Sequence, residues 1–578
     1  MKRFYFLFIF LILALQTPFA QVKTVRLKVM HTTDIHGNYF PFSFTTLSEC
    51  PGSLTRISAL VKNERNTYRR NLLFLDNGDI LQGQPSSYYY NYIDTTSTHL
   101  CATMMNEMGY DAGNLGNHDV ETGMKVFSRW AKECKFPILC ANAIVKATGQ
   151  PYFLPFQIFV RDGVKVAVLG MLTSAIPCWL SEDIYPGLQF DDMEATARKW
   201  IKIIKDREKP DVIIGLFHSG IDAQTLSGKY RENASLEVAE RVPGFDVILA
   251  GHDHMQYCKW VKNTEGHSVL VINPGKNGMS VSNVDITVVK KGDKLISKKV
   301  DGKLTSTDRT IVDERLMKIF APQFNTLKEF VSHKLGVLDR DISITPAFYR
   351  SSSFIDAIHT LQLQLTGADI SFTAPFSLKA VLKKGNFYVA DLFSFYKYEN
   401  KLYVMKLTGR EIKNYLEESY GNWFNEMHSP DDHLLKLQID KNRNQVYFKN
   451  PLFNFDSAAG IIYNVDVRKH KGEMIQIASM ADGSPFYMDK VYQVVLNSYR
   501  GNGGGELLTA GAGIPLEKLS ERIIYRSENE LRFYMLKYIE KNGLSFFHPL
   551  KQWKLIPEDW TQAAAKRDSA LLFDDPND

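Results

Sequence analysis

Five short clusters in the first half of the chain concentrate the residue types that hold metal ions and move protons. They are Thr33-Asp34-Ile35-His36-Gly37, Asp76-Asn77-Gly78-Asp79, Gly116-Asn117-His118-Asp119, His218-Ser219-Gly220 and Gly251-His252-Asp253-His254. Singly, each has a plain explanation. An Asp-Gly or Asn-Gly pair beside a strand is commonly a turn, and an isolated histidine such as His333 or His359 reads as a surface or hydrogen-bonded helical residue. Asn142, in Cys140-Ala141-Asn142-Ala143, could support the ligands from behind but reads rather as turn or strand-end structure. The five clusters together are not explained that way. Imidazole, carboxylate and amide oxygen suit zinc, manganese, iron or cobalt and make a poor cage for calcium, which takes oxygen ligands throughout. Seven candidates, Asp34, His36, Asp79, Asn117, His218, His252 and His254, exceed one tetrahedral zinc and fit two ions sharing a bridging carboxylate. Two ions ~3.5–4 Å apart clamp the attacking and leaving oxygens of a displacement and generate hydroxide near neutral pH.

Residues so dispersed need a scaffold that gathers them. Short β-branched runs at Val25–Met30, Leu72–Leu75, Val164–Leu169, Val212–Phe217 and Val247–Ala250 alternate with helical patterns, which predicts an α/β layered domain. In four of the five clusters the candidate ligands stand just past the C-terminal end of such a strand, and the fifth cluster falls in a loop. Strand ends of an α/β sheet share one edge, where ligands bind.

A chain of 578 residues is too long for one core, so two domains are expected. The catalytic domain is predicted over 21–300, a linker with a helix over 301–336 (helical from about Glu314 to Lys334, after a polar stretch from Lys290 to Arg309), and a second mixed α/β domain over 337–555. In that domain Ser353–Leu365 reads as an amphipathic helix, Lys401–Lys406 as a strand, and Thr408-Gly409-Arg410-Glu411 as a helix start. The tail, 556–578, reads as loosely held.

Composition is that of an ordinary globular protein, 44% hydrophobic and 23% charged, with net charge +5 and no long basic run. That argues against binding a nucleic-acid polymer. Lys2 and Arg3 precede an apolar run from Phe4 to about Leu15 and a small residue, Ala20, which predicts a secretory signal peptide over 1–20 and a periplasmic or secreted protein. The run is shorter than the ~20 residues a span requires, so no stable membrane anchor is expected. Six cysteines, Cys50, Cys101, Cys134, Cys140, Cys178 and Cys258, fit no zinc-finger spacing and are read as structural; Cys134 and Cys140 are closest in sequence.

The five clusters in this order resemble the calcineurin-like metallophosphoesterases, and the following domain resembles the C-terminal domain of the 5′-nucleotidases. The resemblance covers nearly the whole mature chain. It implies a four-layer α/β/β/α catalytic domain, two divalent ions (zinc, manganese, iron or cobalt) and a small-molecule nucleotide substrate. By position, Asp34, His36 and His254 would hold one ion; Asn117, His218 and His252 would hold the other, with Asp79 bridging. Asn117 would also face the substrate. His118 would assist the chemical step without ligating metal, stabilising charge on the phosphate and protonating the leaving oxygen. Many relatives hold this histidine with an aspartate three residues on; this chain has Glu121 there.

Two stretches resemble nucleoside-binding elements: Pro451-Leu452-Phe453-Asn454-Phe455-Asp456 leading to Gly460, and Asn497-Ser498-Tyr499-Arg500 leading into Gly503-Gly504-Gly505. The resemblance implies that Phe453 and Tyr499 sandwich the base. The glycine run lacks the spacing of a dinucleotide fingerprint. Where 5′-nucleotidases carry an arginine segment this chain reads Phe372-Thr373-Ala374-Pro375-Phe376-Ser377. That segment, Tyr396-Lys397-Tyr398-Glu399-Asn400 and both nucleoside elements look closer to the bifunctional 2′,3′-cyclic-nucleotide 2′-phosphodiesterase/3′-nucleotidases. A 5′-nucleotidase or UDP-sugar hydrolase on the same site, or a non-catalytic nucleotide-binding receptor, are the alternatives.

Overall fold

Alternating apolar residues determine the architecture of the first half. Val25, Leu27 and Val29 share one face of the strand Val22–Thr32, as do Leu73 and Leu75 in Leu72–Asp76, Val164, Val166 and Val168 in Val164–Leu172, and Val212, Ile214 and Leu216 in Val212–His218. All are buried in one cluster with Val247, Leu249, Leu270 and Ile272, because a period-2 pattern aims each set at the facing sheet. This computed structural model describes residues 22–222, 226–227, 230–440 and 445–573, so the expected signal peptide lies outside the described residues.

The two facing sheets have six strands each. One runs in the order 294–306, 280–291, 22–32, 72–76, 112–114, 138–139, and the other 256–262, 268–274, 247–250, 212–218, 164–172, 156–161. Central pairs are parallel, with Thr32 opposite Asp76, Leu172 opposite His218 and Phe217 opposite Ala250, so the strands end along a common edge. The outer faces are covered by helices: Met30 and Phe74 pack with Leu54–Tyr68 and Leu100–Met108, and Ile213 and Ile248 with Met193–Ile203 and Ser235–Arg241. The stack is the expected α/β/β/α.

The polar stretch from Lys290 onward is not a junction. Lys294–Ser306 is an edge strand paired along Ser280–Lys291, so the expected boundary at residue 300 falls inside the sheet. Its lysines face solvent as edge strands require, while Val300 and Leu304 pack on the inter-sheet core. Two helices follow, Glu314–Ile319 and Ala321–Val331. Their Leu316, Phe320, Leu327 and Val331 share a core with Leu54 and Ile57. The connecting segment is therefore fastened to the first domain.

The second domain is built on a sheet in the order 457–459, 370–373, 491–497, 401–408, 523–530. The helix Ser353–Thr366 covers one face and Gly409–Trp423 the other. The latter starts on a capping box: Thr408 Oγ1 accepts the Glu411 N–H at 3.2 Å and the Glu411 carboxylate accepts the Thr408 N–H at 2.7 Å. His359 is buried between the hydroxyls of Ser371 (2.9 Å) and Ser457 (3.1 Å), and His333 is exposed.

The expectation of a loosely held tail is corrected. Glu558–Phe573 is a helix whose Thr561, Ala564, Asp568 and Leu572 recur on one face and are buried. Ala564 and Leu572 join the core beside Trp553 and Leu555, and Asp568 accepts the Leu435 N–H at 2.8 Å. Alanine-rich composition here signals helix propensity rather than looseness. None of the six cysteines is paired in a disulfide, Cys134 and Cys140 included.

Candidate metal centre and ligand cleft

At the shared strand edge Asp34, His36 and His254 bring ligand atoms within 4.8 Å of one another, and Asp79, His218 and His252 do the same. His36 Nε2 lies 2.9 Å from His254 Nε2. Asn117 Oδ1 lies 3.1 Å from His218 Nε2 and 2.7 Å from His252 Nδ1, which joins it to the second group. All seven candidates are thus gathered.

The residues fit divalent cations on chemical grounds. Asp34 Oδ1 and Asp79 Oδ2 are buried carboxylate oxygens without a hydrogen bond. Their neighbours are ring nitrogens, His254 Nε2 at 3.4 Å and His218 Nε2 at 3.1 Å. Two imidazole nitrogens facing each other, as in His36 and His254, share at most one proton between them. Asp34 Oδ1, buried without a hydrogen bond and converging with the facing nitrogens of His36 and His254, belongs to a donor set that a cation would complete.

Five of the seven candidates hold left-handed backbone: Asp34 (φ 52°), His36 (49°), Asp79 (55°), His252 (78°) and His254 (62°). Each costs on the order of 1–3 kcal/mol, and such strain collects where function fixes side-chain direction. Asp119 holds one turn by accepting the N–H groups of Asp79, Ile80, Leu81 and Gly116 at 2.8–2.9 Å. Asn77 and Asn114 lock the two sheets together. Asn114 Nδ2 donates to Asn77 Oδ1, Met171 O and Leu216 O at 2.9, 2.7 and 3.0 Å, and Asn77 Nδ2 donates to Phe217 O at 2.8 Å. Gly251 and Gly116 must be glycines: a Cβ would collide with Thr33 and press on the Asp34 carboxylate at the first, and meet the Asp79 carboxylate at the second. Asn142 is confirmed as strand-end structure, donating to Leu172 O (2.7 Å) and Asp191 O (3.1 Å).

Electrostatics separate the histidines. Burial, opposed by Asp79, holds His36 down to about 3, so its ring is neutral. Burial alone would also lower His218, but the Asp79 carboxylate raises it to about 10. Burial raises Asp79 and Asp34, yet the surrounding histidines outweigh it and keep both below the usual carboxylate range. His118 lies outside both ligand groups. Its Nδ1 is 2.5 Å from Glu121 Oε2 and its N–H donates to Asp79 Oδ1 at 2.8 Å. Burial would lower it; Asp79 and Glu121 raise it to about 9. The longer side chain of Glu121 does reach the ring.

A cavity of about 980 Å³ runs from Asn117, His118 and His252 in the first domain to Phe453 and Tyr499 in the second. The rings of Phe453 and Tyr499 meet edge to face, 6.2 Å apart at 82°, so a base could lie between them only if one ring turned. Arg500 is buried and structural. It donates to Asp456 Oδ1 at 2.9 Å and Oδ2 at 3.2 Å, to Asn454 Oδ1 at 3.1 Å and to Phe453 O at 3.0 Å, stapling the two aromatic-bearing loops. Phe376, Tyr398, Trp179 and Glu232 also line the cavity. No spacing in the sequence marks Trp179 or Glu232.

Residues 27–256 match the calcineurin-like phosphoesterase family and residues 330–511 the 5′-nucleotidase C-terminal domain. The chain is 29% identical to the trifunctional nucleotide phosphoesterase YfkN of Bacillus subtilis over 93% of its own length, and spans 39% of that longer protein. It is 26% identical to a 2′,3′-cyclic-nucleotide 2′-phosphodiesterase/3′-nucleotidase of Salmonella typhimurium, over 92% of this chain and 89% of the relative. A 5′-nucleotidase precursor from Thermus thermophilus shares the fold, with a TM-score of 0.62 at 22% identity, over 92% of this chain and all of the other.

Proposed function

Because the chain belongs to the calcineurin-like phosphoesterases that carry a 5′-nucleotidase C-terminal domain, and so is a metal-dependent phosphoric ester hydrolase of the nucleotidase group, we propose that it acts on 2′,3′-cyclic nucleotides and 3′-nucleotides in preference to 5′-nucleotides. What carries the nucleotide reading is the single cavity joining Asn117 and His252 to Phe453 and Tyr499. We assign Asp34, His36 and His254 to one ion, and Asn117, His218 and His252 to the other, with Asp79 bridging. Bound there, two divalent ions would supply Lewis acidity at a phosphoryl group and would lower the pKa of a nearby water. His118, engaged through Nδ1 by Glu121, keeps Nε2 for the departing ester oxygen and delivers a proton to it. Phe453 and Tyr499 offer π-faces worth ~1–3 kcal/mol per base, without regard to which base it is.

The cyclic and 3′ preference is supported by the Salmonella relative's name and by Phe376, which brings an apolar ring to the cavity in the segment where 5′-nucleotidases carry arginine. A cyclic diester carries less charge than a monoester dianion and loses less without a guanidinium. Action outside the cytoplasm is proposed from the basic start and apolar run of the first 20 residues; among the described residues no helix is long and apolar enough to cross a membrane. Initial rates on 2′,3′-cAMP, 3′-AMP, 5′-AMP and UDP-glucose test the reading. The first two should be fastest. Faster turnover of 5′-AMP would overturn the preference and leave the phosphoesterase assignment standing.

A further inference from the structure

His252 is fixed on every side. Its main-chain N–H donates to Asp34 Oδ2 at 3.0 Å, its ring Nδ1 lies 2.7 Å from Asn117 Oδ1, and Trp179 stacks on its ring at 5.7 Å and 29°. Its remaining nitrogen, Nε2, lies 3.0 Å from Glu232 Oε1. The main chain that carries this carboxylate is held in place. The Glu232 carbonyl accepts Thr173 Oγ1 at 2.8 Å and Ser219 Oγ at 2.9 Å, and Asn233 Oδ1 accepts the Gly220 N–H at 3.1 Å. Thr173 and Ser219 immediately follow the strands Val164–Leu172 and Val212–His218, so the loop bearing Glu232 is tied to the strand edge that carries His218.

A neutral imidazole offers a lone pair on one nitrogen only when its proton sits on the other, and the acceptor of that proton sets both tautomer and ring plane. His36 and His218 face main-chain carbonyls through Nδ1, Gln82 O at 3.2 Å and Asn77 O at 2.7 Å. His252 instead faces a full negative charge, which makes its other nitrogen a stronger donor to a cation.

We propose that Glu232 is the positioning residue of the second ion: accepting Nε2–H from His252, it presents the Nδ1 lone pair beside Asn117. The inference rests on the two-ion reading above. It assigns this side chain a role in the affinity of one ion and none in that of the other.

Chelator-stripped protein titrated with Mn²⁺ in a calorimeter tests it. Wild type should take up two ions. Glu232→Ala should weaken one site by ~10–100-fold, the usual cost of losing an outer partner of a ligating histidine, with the other site unchanged. Glu232→Asp, which withdraws the carboxylate by one methylene, should weaken the same site, and Glu232→Gln, which keeps an acceptor oxygen and the same shape but loses the charge, should bind more tightly there than Glu232→Ala and less tightly than wild type. Either the Ala or the Asp variant suffices should the other fail to fold. Variants binding both ions as wild type does, or weakened equally at both sites, would overturn the assignment and leave the two-ion reading intact. Uptake of a single ion by wild type would overturn both.

Discussion

Asp79 and His118 occupy neighbouring positions with different proposed duties, and single substitutions separate them. Asp79 stands 3.1 Å from His218 and accepts the main-chain N–H of His118, whereas His254 meets Asp34 and His36. Asp79→Asn should cut turnover by on the order of 10²–10³-fold, the scale of losing one preorganised electrostatic contact, and by more than His254→Ala does. Turnover of Asp79→Asn within a few-fold of wild type would remove the bridging role. His118→Ala should keep two ions, by elemental analysis, and lose ~10²–10⁴ in turnover; metal loss in parallel with activity would make it a ligand instead. The seven candidate ligands were legible because each sits in a compact motif, all but Asn117 beside a recognisable strand. Glu232 and Trp179 were not, since what matters in them is a contact to His252 made across the fold, which no local spacing encodes.

Elements were legible where the apolar pattern was regular. The five called strands all form, three of them extended by one or more residues at the ligand-bearing end. Ala112–Asn114 was missed because three residues of Ala-Gly-Asn carry no β signal, yet it places the Asn117 cluster at the same edge as the others. The edge strand Lys294–Ser306 and the helix Glu558–Phe573 were missed because exposed faces made them look like loops. Removing residues 558–578 should therefore destabilise the second domain, by about 2–5 kcal/mol if Leu572 alone sets the scale, measured by urea denaturation. An unchanged midpoint would show that the helix adds nothing. Asp119→Ala strips four N–H groups of their acceptor and should loosen the Asp79 turn, lowering both stability, by about 1–3 kcal/mol, and ion affinity. Normal ion affinity would mean the turn holds its shape unaided.

At the scale of the whole molecule, one cleft is lined from both domains, and the proposed reading divides the work between them, with phosphate chemistry at one end and base contact at the other. Domain class and order were readable from the alternation of strands and helices, but the cleft was not, because it depends on how the two domains meet. That contact is made by side chains far apart in sequence: Asn502 Nδ2 donates to Trp179 O at 3.2 Å, and Tyr88 OH to Glu530 at 2.7 Å. Phe453→Ala with Tyr499→Ala should slow nucleotide hydrolysis by ~10-fold or more, given ~1–3 kcal/mol per stacked base, and leave bis-p-nitrophenyl phosphate hydrolysis nearly unchanged. Equal losses on both substrates would place these rings in the fold rather than at the base. The central claim, that seven dispersed residues form one two-ion centre, is tested most directly by a single titration. Chelator-stripped protein is supplied with Mn²⁺ while bis-p-nitrophenyl phosphate hydrolysis is followed. The account expects no activity before addition and a plateau at two equivalents per chain; a plateau at one equivalent, or activity that survives stripping, would contradict it.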